Sequence, residues 1–348
     1  MSDADAALEA PAAPRAGAAP EPEPDLVQGV SLGKYFHQRT RAFGRTTLVR
    51  AVHEASLGVA RGETVGLVGE SGSGKTTLGR LLLRLIEPSF GKVLFDHHDI
   101  THWVERDLRP LRRRLQLLFQ DAPASLDGRM SLAQIVAEPL RIHGLSRGDA
   151  AERETVLGLL ERVGLPASFA ERRPAQLSSG QCQRVSIARA LSLDPAFIVC
   201  DEPIAALDVS EQLGVLELLT SLQAARAIAY LFISHDLRLV LASSQRVYVM
   251  YAGRVVECSS ASELSDGPRH PYTRALLHAV PVPDPRRRRL RMVLEGEPPS
   301  PFQPLSGCAF HPRCPRARRG VCDRDAPPLA PVASEDSWHD VACWYPYD

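Results

Sequence analysis

The chain has 348 residues, enough for roughly two domains at about 150 residues each. Its 44% hydrophobic and 24% charged residues suit a globular protein with its own core. With 41 basic and 41 acidic residues, no strong net field draws the chain to nucleic acid or an anionic membrane, and the longest near-apolar run, residues 227–234, falls well short of the about 20 a spanning helix needs.

Residues 1–25 are rich in Ala, Pro, Glu and Asp, without apolar periodicity. They read as a disordered tail rather than a signal peptide, which leads us to expect a cytoplasmic chain. Residues 27–36 and 48–57 alternate as an antiparallel sheet would. Residues 63–68 form a short apolar strand ending in a Gly-rich turn, and residues 76–86 carry Leu78, Leu81, Leu82 and Ile86 at helical spacing. Residues 121–193 read as mostly helical, with Leu157, Leu160 and Val163 on one face. Residues 197–200 and 229–233 are short apolar runs of the kind a parallel sheet buries. Residues 246–257 predict a hairpin turning at Ala252 and Gly253. Beyond Gly267 the chain becomes rich in Pro, Arg and Cys, so a boundary is expected there.

Gly69, Glu70, Ser71, Gly72, Ser73, Gly74, Lys75 and Thr76 fit G-x-x-x-x-G-K-[ST]. Glycines let backbone N–H groups converge on phosphates, Lys75 brings a charge to the β/γ-phosphates, and the Thr76 hydroxyl is a Mg²⁺ ligand. The helix that follows adds its positive dipole end. Phe197, Ile198, Val199 and Cys200 precede Asp201 and Glu202. A buried strand would thus deliver two acids to its C-terminal edge, Asp201 for Mg²⁺ and Glu202 for the attacking water.

One further segment selects among phosphate-loop proteins. Leu177, Ser178, Ser179, Gly180 and Gln181 resemble the LSGGQ signature of ABC-type ATPases. In the order of that family, Gln120 resembles the Q-loop glutamine, Asp208 the D-loop aspartate and His235 the switch histidine. Phe36, or its neighbour Tyr35, resembles the aromatic that stacks on adenine. The resemblance spans about residues 27–263. It implies an α/β P-loop ABC ATPase with a mostly parallel core sheet, an antiparallel β subdomain and a helical subdomain. It implies ATP and Mg²⁺ as ligands, with residues 69–76 and Thr77 on the nucleotide. Thr76, Gln120 and Asp201 would attend Mg²⁺, and Glu202, His235 and Gln120 the hydrolysis. Ser178, Ser179, Gly180, Gln181 and Asp208 would complete the site of an opposite ATPase subunit. Ser179 stands where the family has Gly, and serine tolerates a positive φ less well, so the two composite sites are expected to be unequal.

His270, Pro271, Tyr272 and Thr273 resemble the HPYT segment of oligopeptide/dipeptide importer ATPases, and residues 307–315 resemble that subfamily's cysteine-rich tail. This implies an ATPase that energises import of peptides or related solutes, with nickel chelates or glutathione as alternatives. It also implies a second ATPase subunit, two membrane-spanning permease subunits and an extracytoplasmic solute-binding protein. The chain would be peripheral, on the cytoplasmic face of the membrane, and the face around residues 122–129 would receive the permease. The expected divisions are a tail at 1–25, a nucleotide-binding domain at 26–266 and a cysteine-rich C-terminal extension at 267–348. The other-class alternative is a soluble ABC ATPase not coupled to transport. Those usually carry tandem cassettes or a long coiled-coil insertion, which this sequence does not contain.

Cys308, Cys314, Cys322 and Cys343 have intervals of 5, 7 and 20 residues, which is not a zinc-ribbon spacing. Four thiolates there could hold a 4Fe-4S cluster or Zn²⁺, or remain unligated. Cys182, Cys200 and Cys258 read as buried small residues. Arg112, Arg113 and Arg114 read as the polar face of a helix. The run Arg286–Arg289 with Arg291 reads as a solvated linker face or a contact to lipid headgroups or the membrane subunit. All ATP-site residues are expected to precede Gly267.

Overall fold

The computed structural model describes residues 24–39, 46–279, 296–297, 299–300, 302, 306–332 and 338–348. Most of the tail and the basic run Arg286–Arg289 with Arg291 lie outside the described residues. Asp25, expected in the tail, accepts from Arg246 Nη2 at 2.9 Å.

β1 (Val27–Arg39) and β2 (Thr46–Val59) pair antiparallel, as their alternation predicts. β3 (Thr64–Val68) is buried throughout and leads into the glycine-rich turn and α1 (Lys75–Leu82). The helix was expected to run to Ile86 but ends at Leu82. Arg84 adopts φ 51°, and its Nε donates to Ile100 O at 3.0 Å, a left-handed residue that a helix cannot continue through. β4 (Phe90–Phe95) joins β1, and β5 (His98–Asp99) joins β4, completing a four-stranded antiparallel sheet of order β2-β1-β4-β5. After α2 (Glu105–Leu108), Arg112 sits on a short 3₁₀ turn. Its side chain is more than a solvated face, because it donates to Leu83 O at 2.7 Å and Arg84 O at 3.0 Å.

β6 (Leu115–Leu118) precedes the helical stretch: α3 (Ala122–Ser125), α4 (Leu132–Ile142), α5 (Asp149–Arg162) and α6 (Ser179–Leu191). Leu160 and Val163 are buried, as their helical spacing predicts, with Leu157 packed against them. Then come β7 (Phe197–Asp201), α7 (Val209–Arg226), β8 (Ala229–Ser234), α8 (Leu237–Ser243), β9 (Arg246–Tyr251) and β10 (Arg254–Ser260). The β9–β10 turn falls on Ala252 and Gly253, at φ 47° and 84°, the double positive φ of a type I′ hairpin. α9 (Ala261–Asp266), α10 (Pro271–Ala279), β11 (Ala330–Pro331) and β12 (His339–Val341) follow.

The second sheet has the order β11-β12-β10-β9-β3-β8-β7-β6. β6, β7, β8, β3 and β9 are parallel, while β10, β12 and β11 are antiparallel. Its central strands bury both faces. Ile198, Cys200, Tyr230 and Phe232 enter one apolar cluster, whereas Phe197, Val199, Leu231 and Ile233 enter the other. Such strands read as unbroken apolar runs because no face meets water. Cys182, Cys200 and Cys258 are buried within these clusters. Beyond Gly267 the chain returns to this sheet, with β12 pairing to β10 through Glu257 and Val341. Among the described residues no helix is long and apolar enough to cross a membrane.

Candidate active site

The parallel strands β3, β7 and β8 release their chemistry at their C-terminal ends, the edge where open α/β sheets bind ligands. Gly74 caps α1 with φ 102°, and a Cβ there would lie 2.2 Å from Ala51 O. Only glycine satisfies both constraints, so the turn keeps its shape. Lys75 is buried, and its Nζ donates to Gly69 O at 2.7 Å and Glu70 O at 3.0 Å. Burial pulls the ammonium below its ordinary pKa, opposed by Glu202, Asp201 and Glu70. Ser73 Oγ is buried without a partner, an orphaned donor that suits a loop built to receive anionic oxygens. Thr76 Oγ1 donates to Asp201 Oδ1 at 2.9 Å. Burial raises the Asp201 pKa, and this hydroxyl–carboxylate pair is a donor set that fits Mg²⁺.

Glu202 follows β7 with φ 48°. Such a left-handed non-glycine residue costs about 1 kcal/mol or more and is held by its surroundings. Its N–H donates to Ile233 O at 3.0 Å. Its carboxylate accepts from Gln120 Nε2 at 3.0 Å and lies 3.4 Å from His235 Nδ1. Three strand ends thus meet around one carboxylate. Gln120, Glu202 and His235, separated in sequence by 82 and 33 residues, form one constellation. Phe36 is exposed beside Lys34, whereas Tyr35 is tied to His53 and packed on Phe90. Of the two candidates, Phe36 is the ring left open for stacking.

The signature segment lies apart from this constellation. Ser178 caps α6 through a capping box with Gln181, and its Oγ donates to Glu211 Oε1 at 2.8 Å. A Cβ on Gly180 would lie 2.6 Å from Glu211 Cδ, so a larger residue there would push the Glu211 carboxylate away. Ser179 is the first residue of α6 and is not among the positive-φ residues. The strain expected from serine at this position is absent, and with it that reason for unequal sites. Asp208 caps α7 by accepting from Glu211 N–H at 2.9 Å. Ser178, Ser179 and Asp208 are exposed, so the start of the signature helix is open to solvent. Glu211 joins these elements, and sequence reasoning missed it.

Sequence reasoning also missed two residues at the phosphate loop. Tyr272 OH accepts from Glu70 N–H at 2.8 Å. Arg313 donates to both oxygens of the Glu70 carboxylate, at 2.9 and 3.2 Å. Both stand in motifs that the sequence singled out, but without a role. Two residues beyond Gly267 thus touch the loop that the sequence assigns to phosphate.

Cys308, Cys314, Cys322 and Cys343 line one small cavity with His270 and Phe310. Burial raises the Cys308, Cys314 and Cys343 thiols, the last to about 11, and the neighbouring thiols add to this. Among the described residues, no group of three or more His, Cys, Asp or Glu side chains is arranged to hold a metal ion.

The ABC transporter family profile matches residues 52–205. The profile of the oligopeptide/dipeptide transporter C-terminal region matches residues 256–322. A probable peptide ABC transporter ATP-binding protein of Sinorhizobium fredii is 50% identical over 286 residues, which is 82% of this chain and 80% of that protein. The oligopeptide transport ATP-binding protein AppF of Bacillus subtilis is 47% identical over 315 residues, 89% of this chain and 94% of that one. Among solved structures, a dimeric ATP-binding cassette in a post-hydrolysis state, bound to ADP and Pi, aligns with a TM-score of 0.60. It is 27% identical, over 68% of this chain and 98% of that one.

Proposed function

The chain belongs to the ABC transporter family, with the C-terminal region of oligopeptide/dipeptide transporters, and is an ATPase; we propose that it energises the import of peptides. The observation that carries the hydrolytic part is the Glu202 carboxylate, held between Gln120 and His235 beside the Thr76–Asp201 pair. Residues 69–76 cradle the β- and γ-phosphates, and Lys75 swings its ammonium from the loop carbonyls to them. Thr76, Asp201 and Gln120 would hold Mg²⁺, which when bound would neutralise charge developing on the phosphates. Glu202 orients the attacking water and takes its proton. His235 donates to the γ-phosphate, and Phe36 stacks on the base. Thr77 lies in the first turn of α1, whose positive dipole end faces the phosphates.

Ser178, Ser179, Gly180 and Gln181 present their donors to the nucleotide of a second ATPase subunit, with Asp208 beside them. The exposed Val209 and Leu213 on α7 fit the same interface. A groove lined by Leu85, Leu117, Phe119, Pro139 and Arg189 lies beside the face around residues 122–129 and suits a helix from a permease. Two permease subunits and a solute-binding protein complete the assembly, with this chain peripheral on the cytoplasmic face. We propose the division into 26–266 and 267–348 for the same assembly. For Cys308, Cys314, Cys322 and Cys343 we propose a 4Fe-4S cluster or zinc on the support of their shared cavity, although among the described residues the side chains as placed form no metal-binding group. The test is co-purification with a second ATPase and two permeases, followed by ATP-dependent peptide uptake in vesicles. Purification without such partners, or uptake indifferent to Glu202→Gln, would reject the reading.

A further inference from the structure

The second residue of the phosphate loop is gripped from the far end of the chain. Arg313 Nη1 and Nη2 donate to Glu70 Oε2 and Oε1 at 2.9 and 3.2 Å, and Nη1 also donates to Tyr251 OH at 3.3 Å. The Arg313 side chain is 7% exposed and that of Glu70 25%, so the fork is largely withdrawn from water. Tyr272, fully buried on α10, accepts the Glu70 N–H. Tyr251, Tyr272 and Phe310 pack with ring centroids 4.6–5.4 Å apart, so both side chains reach Glu70 from a rigid aromatic block. Pro299 and Ser300 line the cavity on the same side of the loop, with Ser71, Gly72 and Ser73.

The chemistry of Glu70 makes this grip consequential. A carboxylate on a loop that must hold polyphosphate works against its own ligand. A bidentate guanidinium cancels that charge and fixes the carboxylate in one place. The Glu70 carbonyl also accepts from Lys75, so the backbone that Tyr272 and Arg313 steady is the backbone that holds the phosphate-binding ammonium.

We propose that Arg313 and Tyr272 are positioning residues for the phosphate loop, so that the nucleotide site of this chain is completed by its own C-terminal extension. The guanidinium removes the repulsion between Glu70 and the phosphates, and the phenol fixes the entry of the loop. This rests on residues 69–76 being the phosphate site.

The test is the affinity of the full-length chain for ATP with Mg²⁺, measured beside its thermal melt, with Lys75→Ala as the reference variant. Arg313→Gln raises Kd about tenfold or more, the size expected for an uncompensated charge near a polyphosphate. Arg313→Lys, which keeps the charge, stays closer to the unmodified value. Arg313→Gln combined with Glu70→Gln recovers most of the lost affinity, because no charge is left to repel. Tyr272→Phe weakens binding severalfold by orphaning the Glu70 N–H. A merely structural role would not produce rescue by Glu70→Gln. An Arg313→Gln chain that melts normally and binds ATP as before overturns the proposal, as does a double variant no better than the single one. If Lys75→Ala leaves affinity unchanged, the phosphate-site reading fails and the inference falls with it. A weakened Lys75→Ala beside an unaffected Arg313→Gln rejects the positioning role of Arg313 alone.

Discussion

Gln120 Nε2 donates to Glu202 Oε2 at 3.0 Å across 82 residues of sequence. The second residue after β6 is therefore bonded directly to the first residue after β7. A rearrangement of the loop following Gln120 would reach the Glu202 carboxylate, the group proposed to handle water. Glu202→Gln keeps the shape and hydrogen bonding but removes the base. ATP affinity should stay within about twofold while turnover falls by about 10²–10⁴. Steady-state ATPase rates of the assembled transporter, set beside nucleotide affinity, check this. Turnover near the unmodified rate would remove Glu202 from the mechanism.

Gly74→Ala and Ser179→Gly should behave in opposite ways. A Cβ on Gly74 meets the Ala51 carbonyl, a backbone atom, at 2.2 Å, and φ is 102°. The loop must shift, and nucleotide binding should be lost. Ser179 is already helical at the start of α6, so Ser179→Gly should leave ATPase activity within about twofold and cost less than about 1 kcal/mol of stability. Binding and melting of the two variants side by side decide the matter. A large activity gain from Ser179→Gly would mean that serine strains the signature after all.

Acid should loosen the helical subdomain through one ion pair. Arg141 Nε donates to the Glu152 carboxylate at 3.0 and 3.1 Å, joining α4 to α5. The Arg141 hydrogen bonds hold the Glu152 pKa below its ordinary 4.5. A carboxylate with a depressed folded pKa contributes stability above its unfolded value. It loses that contribution as pH falls from about 4.5 through the lower folded value. Glu152→Gln should cost about 1 kcal/mol at neutral pH, since Arg141 is half exposed, and should flatten the acid limb below about pH 4.5. Parallel melting curves for both proteins over that range would contradict this.

The cysteine site and the ATP site should not fail independently. Arg313 precedes Cys314, and Cys308 and Phe310 share the cavity wall. Cys314→Ser should therefore weaken ATP binding along with loosening the extension, instead of sparing the nucleotide site. Iron, acid-labile sulfide and zinc in protein purified without oxygen report what the thiols hold. Stoichiometric zinc without iron would choose zinc. Metal-free protein with four titratable thiols would remove the cluster. ATP affinity unchanged in Cys314→Ser would uncouple the sites.

Much of the site was legible because it is written in short contiguous motifs at strand ends. Four or five apolar residues followed by Asp201 and Glu202, or by Ser234 and His235, mark where a parallel strand leaves the core. The glycines before Lys75 mark a turn that other residues cannot form. Glu211 was not legible, since an acid on a helix looks like any solvated side chain until Ser178 and Gly180 are packed against it.

The sequence by itself determined the family, the polar residues gathered at the ends of β3, β7 and β8, and the burial of Cys182, Cys200 and Cys258. Local patterns carry these, because apolar runs, glycine turns and capping residues act on near neighbours. Tertiary structure alone decided that Arg313 and Tyr272 reach Glu70 across 243 and 202 residues, and that β12 returns to pair with β10. A bidentate ion pair or a three-residue strand has no periodicity to announce it. Its partners are set only when the core packs, and burial then makes an arginine beyond Gly267 the counter-charge for the phosphate loop.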